Sequence, residues 1–428
     1  MNLIWQTILI LKKKRFIQIL IYLYQRIDIG FTQILAPTFT TTTLMDNNRV
    51  AIIAEGGEWT VLPVIRELKD QFKIVGFFQN KKNPVNNSRG LSFSTNILNT
   101  CDSLFHKNLL YKLYKSKVKT IICLNEEIKL SLVKCKHLYK NFSFAFPSYR
   151  SYETAIQKNK SIRFAKKVGI PVPEIYDYED FSVKEKLKIS FPEKIVVKAD
   201  RGVSSLNVRY ATNFEDLNEI YDDFKTSDDG DKPCPIVQEF VGGPTYLTQA
   251  LCQDGKVKAL VSHVKHREWP SSGGVTCLAR TIFSKKLESY SKRLLENLNW
   301  HGEAGIEWKY DTKRNDFYFI EMNPRFEGSL DLTISSGINF PNLLVDIINE
   351  KKLKYNYDYQ DNIYYRWFYR LDFEHFLYEP YGFFKFFFES FNPKINGEIK
   401  VKCLSHILCV WKYPIYTLIR RLRHRYSV

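Results

Sequence analysis

Two carboxylates and one amide stand at spacings that suit a divalent cation. Glu321 and Asn323 are two residues apart in an apolar run, so a β-strand would point both side chains to one face. The polar stretch 311–316 predicts a hairpin turn that brings Glu307 beside Glu321. Oxygen ligands without His or Cys favour Mg²⁺, with Mn²⁺ as a second choice. The alternative is a strand that simply ends in solvated polar residues.

Two lysines upstream could meet phosphate groups. Lys198 ends a run of β-branched residues and leads into a loop of small residues that includes Ser204 and Ser205, and the backbone N–H groups of such a loop can cover phosphates. Lys160 lies near the start of a helix that a Gly-Ile-Pro-Val-Pro stretch ends. Taken singly, Lys198 could be an edge-strand lysine and Lys160 part of a solvated helix face.

The order of these motifs resembles the ATP-grasp superfamily, and most closely its carboxylate–amine ligase and carbamoyl-phosphate-synthase-like branch. Four blocks carry the resemblance: residues 159–173, residues 196–198 with the loop that follows, residues 237–243, and Glu307 with residues 321–329. The last block reads Glu-Met-Asn-Pro-Arg-Phe-Glu-Gly-Ser and is the most specific of the four. Relatives place an acidic residue on the ribose shortly after the third block, where this chain has Pro-Thr-Tyr-Leu.

The resemblance implies a nucleotide site and a metal site. Glu307, Glu321 and Asn323 would hold Mg²⁺. Lysines and loop serines would hold the ATP phosphates, and a hinge segment would meet adenine, largely through backbone groups. The residues so implied are Lys160, Lys198, Ser204, Ser205, Gln238, Glu239, Phe240 and Val241.

The resemblance also implies which side chains take part in the reaction. Arg325 would stabilise an acyl phosphate or its transition state, and Lys198 would supply a further cation. The segment 264–280 has a Gly-Gly turn flanked by basic residues and is similar to a substrate loop, so that Arg280 or Arg267 would receive a carboxylate. A charged β-hairpin without such a role is the alternative, and His266 is more often a solvated side chain than a base.

The chain is expected to combine α/β and α+β architecture. Strands alternate with helices in residues 46–150, which predicts a small parallel α/β domain. The resemblance implies a two-lobed ATP-grasp fold in residues 151–355. Residues 1–45 are predicted to be an N-terminal extension outside the fold, and residues 356–428 an aromatic, basic C-terminal extension. The sequence contains neither a G-x-G-x-x-G fingerprint after the first strand nor a Walker G-K-[ST] motif, which disfavours P-loop enzymes.

Composition agrees with a large enzyme of a reducing compartment. Eight cysteines show no C-x-x-C pair, which favours the cytoplasm. The formal charge of +17 is compatible with an anionic substrate, nucleic acid, anionic lipid or lysine-rich codon usage.

The terminal segment 415–426 carries an apolar stripe beside four arginines, which is typical of a helix on anionic lipid. A capping helix on the core is the alternative, and no RNA-recognition motif supports specific nucleic-acid binding.

The expected activity is that of a Mg-ATP-dependent ligase. By resemblance it would phosphorylate a carboxylate to an acyl phosphate, which an amine or similar nucleophile attacks, with two small molecules as partners and a homodimer left open. A carbamoyl-phosphate-synthase-like or carboxylase step on bicarbonate or carbamate is one alternative. A membrane-attached, non-catalytic nucleotide-binding regulator is another.

Overall fold

The computed structural model describes residues 48–56, 60–80, 83–200, 208–226, 235–269, 274–355 and 358–367, and a few positions between 372 and 397. Ser204, Ser205, the N-terminal extension and the basic terminal segment lie outside the described residues. In the described part of the chain, no helix is both long and apolar enough to cross a membrane.

The first sheet confirms the predicted parallel α/β architecture. Its strands follow the order β3-β2-β1-β4 and all pair in parallel. Alternate residues of the first strand belong to two different cores, since Ala51 and Ile53 pack on one side and Ile52 and Ala54 on the other. This explains why parallel strands covered on both faces are apolar throughout. The elements are β1 (Arg49–Ala54), α1 (Val61–Leu68), β2 (Lys73–Phe78), β3 (Leu91–Asn96), α2 (Phe105–Lys115), β4 (Thr120–Cys123) and α3 (Glu126–Lys134).

Two consecutive helices connect the first sheet to the second. Lys198 is the last residue of one strand of the second sheet. The second sheet is antiparallel, in the order β5-β8-β6-β7, and helices α6 and α7 contribute apolar side chains to its small core. The elements are α4 (Tyr149–Ile156), α5 (Lys158–Lys167), β5 (Ile175–Tyr176), α6 (Phe181–Ile189), β6 (Ile195–Lys198), β7 (Val208–Ala211), α7 (Phe214–Thr226) and β8 (Ile236–Glu239).

The third sheet has seven strands in the order β13-β12-β9-β10-β11-β14-β15. Its pairs are antiparallel except the last, in which β14 and β15 run parallel. The elements are β9 (Thr245–Gln253), β10 (Lys256–Trp269), β11 (Val275–Thr281), α8 (Lys285–Asn297), β12 (Gly302–Asp311), β13 (Asp316–Asn323), α9 (Leu330–Ser335), α10 (Phe340–Ile348), β14 (Tyr364–Arg366) and β15 (Ile395–Gly397).

The two faces of the seven-stranded sheet have different roles. Residues paired across neighbouring antiparallel strands share a face, and the next pair lies on the opposite face. One row joins Glu321, Glu307, Leu247, His263 and Thr281. The adjacent row joins Trp308, Tyr246, Val264 and Arg280, and Trp308 packs against Tyr290 of α8. The face that carries Glu307 is therefore the one opposite α8, and we call it the site face.

Candidate active site

The predicted hairpin places the two carboxylates side by side. Glu307 of β12 pairs in register with Glu321 of β13, and Gly305 pairs with Asn323. All of these positions lie on the site face, because Glu321 and Asn323 are two residues apart in one strand. This confirms the predicted juxtaposition of Glu307 and Glu321. The metal assignment itself stays a prediction.

Each of the three predicted ligands has one polar atom held by the protein and one left over. Lys265 Nζ lies 3.2 Å from Glu307 Oε2, and Lys158 Nζ lies 3.3 Å from Glu321 Oε2. Asn323 Nδ2 donates to Glu327 at 2.8 Å. Within the described ranges, the remaining oxygens of these three side chains have no hydrogen-bonding or ion-pair partner. Three acceptor oxygens on one face suit a hard cation.

The donor set limits what kind of cation would fit. Among the described residues, no group of three or more His, Cys, Asp or Glu side chains could hold a metal ion. The set here has two carboxylates and one amide instead, and so it leaves several coordination positions to other oxygens. Mg²⁺ is commonly bound in this way, through one or two carboxylates with phosphates and water.

Lys198 ends β6 and is buried close to these carboxylates. Its Nζ donates to the carbonyl oxygen of Ile320 at 3.4 Å, and only 3% of the residue is exposed. Burial lowers the pKa of Lys198 to about 8, although the negative charge of Glu321 opposes this effect. Conversely, burial disfavours ionised Glu321, but the charges of Lys158 and Lys198 outweigh it and lower the pKa of the carboxyl. The two groups therefore hold each other in their charged forms.

The structure brings Lys158 to the carboxylates, and not Lys160. The backbone N–H of Lys158 donates to Asp200 O at 3.0 Å, and that of Asn159 donates to Asp200 Oδ1 at 2.7 Å. These bonds fix the start of α5 beside the end of β6. Lys160 lies two residues further along, about 200° around the helix, and its half-exposed side chain pairs with Glu153 at 3.3 Å. The predicted helix is present, and the lysine that it brings to Glu321 is Lys158, whereas the phosphate contact predicted for Lys160 stays a prediction.

Arg325 lies where three parts of the chain meet. Its Nε donates to Glu126 Oε1 at 2.6 Å, and its Nη1 lies 3.4 Å from Glu327 Oε2. Its backbone N–H donates to Asn323 O at 2.8 Å, which ties the guanidinium to the strand that carries the predicted ligands. Burial opposes the charge of Arg325, but the carboxylates of Glu126 and Glu327 outweigh it and raise the pKa of the guanidinium. Glu126 opens α3 and escaped the sequence analysis, because no local motif marks it.

Arg280 does not belong to this cluster. It pairs in register with Val264, whereas Glu307 lies in the neighbouring row, so Arg280 emerges on the opposite face of the sheet. There its guanidinium donates to Asn362 and lies 3.4 Å from His266 Nε2, and His266 stacks on Tyr364. The pleat of β11 turns the side chain of Arg280 away from the carboxylates, and its predicted catalytic role stays a prediction.

Arg267 is also occupied, in an ion-pair network of its own. Its Nη2 lies 2.9 Å from Asp372 Oδ2 and 2.8 Å from Glu389 Oε2, and Arg366 contacts Asp372 as well. A β-bulge separates Arg267 from Lys265, which explains why the two basic residues diverge. Arg267 therefore links β10 to the segment after β14.

Lys265 is the basic residue of β10 that reaches the site, and the sequence analysis missed it. Its side chain is 8% exposed, and Nζ lies 3.2 Å from both Glu307 Oε2 and Glu268 Oε2. Nζ also donates to Gly274 O at 3.2 Å. Burial opposes the charge, but the two carboxylates outweigh it and raise the pKa of Lys265. The signal in the sequence was the alternation of β10, which puts Lys265 on the same face as His263 and Leu247.

The predicted hinge lies at the end of β8. The backbone N–H of Glu239 donates at 2.8 Å to the carbonyl oxygen of Glu174, the residue before β5, and the Glu239 carboxylate contacts Arg314. Gln238 and Val241 are buried, whereas Phe240 is exposed and its ring lies 4.9 Å from Lys194 Nζ. The carboxylate of Glu239 is thus committed to protein contacts, whereas Oε1 of Gln238 is buried without a hydrogen-bond partner among the described residues.

Comparison with known proteins identifies the domain. Residues 155–329 match the family model of the ATP-grasp domain, so the chain contains an ATP-grasp domain. Among curated proteins, a carbamoyl-phosphate synthase of Methanobrevibacter smithii is 22% identical over 226 residues. That match covers 50% of this chain and 58% of the relative, so the chain spans little more than half of the relative's length. Acetyl-CoA carboxylase 2 of Arabidopsis thaliana is 27% identical over 138 residues, which are 31% of this chain and 6% of that protein.

Solved structures show the same fold at low sequence identity. The biotin carboxylase domain of 2-oxoglutarate carboxylase from Hydrogenobacter thermophilus, a dimer in complex with MgADP, ADP and bicarbonate, has a TM-score of 0.60 at 15% identity. This likeness covers 74% of this chain and 73% of that one. L-amino acid ligase from Bacillus licheniformis has a TM-score of 0.57 at 15% identity, with coverage of 72% and 77%. The two enzymes share their fold with this chain.

Proposed function

We propose that this chain is an ATP-grasp ligase that uses Mg-ATP to activate a carboxylate for attack by an amine or a similar nucleophile. One observation carries the proposal. Three acceptor oxygens, on Glu307, Glu321 and Asn323, face one side of a sheet between buried cations. This is the charge pattern that a polyphosphate with its metal requires, because anionic oxygens need cations and the metal needs anionic ligands.

The proposed chemistry proceeds in two steps. A carboxylate oxygen forms a bond to the γ-phosphorus of ATP while the bond to the leaving ADP oxygen breaks. The nitrogen of the amine then forms a bond to the acyl carbon. The bond between that carbon and the phosphate oxygen breaks, inorganic phosphate leaves, and the nitrogen loses a proton. A bound Mg²⁺ would neutralise phosphate charge and orient the γ-phosphoryl group.

The residues of this chain would supply position and charge. Lys158 and Lys198 would hold phosphate oxygens, and Arg325 would stabilise the acyl phosphate as a bidentate donor. Lys265 would hold the Glu307 carboxylate in position beside the metal. Such a site contributes mainly through orientation and electrostatics, which are the principal means of catalysis in phosphoryl transfer.

Trapping of the intermediate tests this proposal. We expect ADP formation that depends on Mg²⁺, on a carboxylate and on an amine, measured across a library of both. Hydroxylamine in place of the amine should give the hydroxamate of the activated carboxylate, since it attacks acyl phosphates readily. The Glu321→Gln variant is the matched control and should form neither product. ADP formation at the same rate in that variant would contradict the proposal.

A carboxylase-type or carbamoyl-phosphate-synthase-like step is the second candidate. The similarity to a carbamoyl-phosphate synthase and to carboxylase domains favours it. In that case bicarbonate or carbamate takes the place of the organic carboxylate. Bicarbonate-dependent release of ADP without any organic carboxylate would distinguish this step from ligation of an organic acid.

We also propose a homodimer and a peripheral membrane location. A homodimer has support from the dimeric biotin carboxylase domain of similar fold. Peripheral attachment of a cytoplasmic enzyme to an anionic membrane has support only from the sequence of the basic terminal segment.

A further inference from the structure

We propose that Glu327 is a positioning residue that fixes which way the Asn323 carboxamide faces, so that Asn323 Oδ1 is presented to the cation. This inference rests on the metal site of the proposed function. In this proposal Glu327 gives no oxygen to the cation. Among the described residues, it also has no contact with Lys158 or Lys198.

Glu327 has contacts at both carboxylate oxygens and at its backbone N–H. Its Oε1 accepts from Asn323 Nδ2 at 2.8 Å, and its Oε2 lies 3.4 Å from Arg325 Nη1. Its backbone N–H donates to Oε1 of Gln249 at 3.0 Å, and Gln249 is itself fully buried. With 8% of Glu327 exposed, the side chain has little freedom to move.

Glycine at position 305 of β12 leaves room for the side chain of Glu327. Gly305 pairs in register with Asn323 on one side and with Gln249 on the other. A Cβ atom at Gly305 would lie 2.1 Å from Glu327 Oε1 and 2.7 Å from its Cδ. The carboxylate of Glu327 therefore lies directly against the backbone of β12 at Gly305, between the side chains of Asn323 and Gln249.

This arrangement selects one of the two orientations of the Asn323 amide. A carboxamide offers donors at its nitrogen and an acceptor at its oxygen, whereas a carboxylate only accepts. Both oxygens of Glu327 face donors, since Oε1 accepts from Asn323 Nδ2 and Oε2 lies 3.4 Å from Arg325 Nη1. Turning the amide around would set Oδ1 against Oε1 and lose the hydrogen bond. Asn323 Oδ1 is thus the atom left for a cation, and outer groups that orient a ligand in this way commonly change metal affinity by about 10- to 100-fold.

A double-mutant cycle on Mn²⁺ binding tests the inference. We expect Glu327→Gln to weaken binding of Mn²⁺ to the ADP complex by about tenfold, because glutamine can also donate to Oδ1 and no longer selects the orientation. In an Asn323→Asp background both atoms at position 323 are oxygens, and one of them faces the Glu327 carboxylate. Glu327→Gln replaces that opposition of two carboxylates by a hydrogen bond, so there it should leave Mn²⁺ binding unchanged or strengthen it. Electron paramagnetic resonance of bound Mn²⁺ gives the affinity, and ADP affinity without metal and thermal melting serve as controls.

The outcomes separate this inference from the proposed function. Equal losses from Glu327→Gln in both backgrounds would show a general structural role and overturn the inference alone. Unchanged Mn²⁺ binding in a folded Glu327→Gln protein would overturn it as well. If the natural chain with ADP binds no Mn²⁺, both the metal site of the proposed function and this inference fall together.

Discussion

Arg325 Nε donates a hydrogen bond of 2.6 Å to Glu126 Oε1, and this contact joins the seven-stranded sheet to the first turn of the helix that follows the parallel strand β4. The two residues are 199 positions apart in the sequence. Both side chains are about one fifth exposed, so solvent screens the pair only in part. The first sheet therefore contributes a side chain to the surroundings of the candidate active site.

We expect Glu126→Ala to lower the free energy of unfolding by about 1.5–3 kcal/mol, the usual contribution of a charge-assisted hydrogen bond. The variant leaves the partly buried guanidinium of Arg325 with Glu327 as its remaining carboxylate partner among the described residues. Urea unfolding measures the change. Glu127→Ala is the matched control, because Glu127 is the next residue of the same helix turn and is exposed. Equal losses in the two variants would show that the contact with Arg325 contributes nothing specific.

Lys158 and Lys160 provide a second matched pair. We expect Lys158→Met to weaken ADP binding about 10-fold or more, since a charge-assisted contact of about 1.5–3 kcal/mol is lost. Lys160→Met should leave the affinity nearly unchanged, because Lys160 pairs with Glu153 at the surface. Calorimetric titration with ADP measures both. The opposite ranking would return the phosphate contact to Lys160 and contradict the geometry of α5.

Lys198 should give ADP binding a distinctive dependence on pH. The phosphates of ADP favour the charged form of Lys198. In the chain without ADP, burial lowers the pKa of Lys198 to about 8. The affinity for ADP should then be constant below pH 8 and fall by up to tenfold per pH unit above it. Lys198→Met should bind weakly and lose this dependence. A natural chain whose affinity stays flat to pH 9.5 would contradict the assignment.

The same group should affect stability in the opposite direction. Between pH 8 and about 10.5 the folded chain has lost the proton of Lys198 while the unfolded chain retains it, so more protons are bound in the unfolded state. The contribution of Lys198 to the free energy of unfolding therefore rises with pH in this window. Opposite trends in binding and stability would separate Lys198 from a general effect of alkaline pH.

The basic terminal segment offers a prediction outside the described residues. We expect the full chain to sediment with anionic vesicles at low salt and to be released as salt rises, with neutral vesicles as the control. A chain truncated after Lys412 should lose this binding. Equal partitioning of the two chains would assign the segment to a role in the fold instead.

Local patterns in the sequence predicted much of this site. Alternation in β13 set Glu321 and Asn323 on one face, and the polar turn placed Glu307 opposite Glu321. Lys198 was recognisable because a strand leads directly into a loop of small residues. The pairing of Glu307 with Glu321 lies within one hairpin, whereas Lys198 contacts Ile320 across 122 positions of the chain.

Other parts of the site depend on contacts that no local pattern reveals. Lys158 differs from Lys160 only in its angle around the helix, and Asp200 fixes that angle from another element. Placing Arg280 on the opposite face required the register of three strand pairs. Glu126 reaches Arg325 only through the packing of the first sheet against the rest, which spacing along the chain does not encode.

The carboxylate of Glu321 is predicted to control both the metal and the lysine beside it. Glu321→Gln removes a metal ligand, so we expect Mg²⁺-dependent turnover to be lost while the thermal melting temperature changes little. The same variant removes the negative charge that raises the pKa of Lys198 against burial. The pH above which metal-free ADP binding weakens should therefore be lower than in the natural chain.

Asn323→Ala is the control, because it removes a predicted ligand without changing charge. It should abolish turnover while leaving that pH unchanged. A variant at position 321 that loses turnover without moving the pH midpoint would show that Glu321 and Lys198 are not electrostatically coupled.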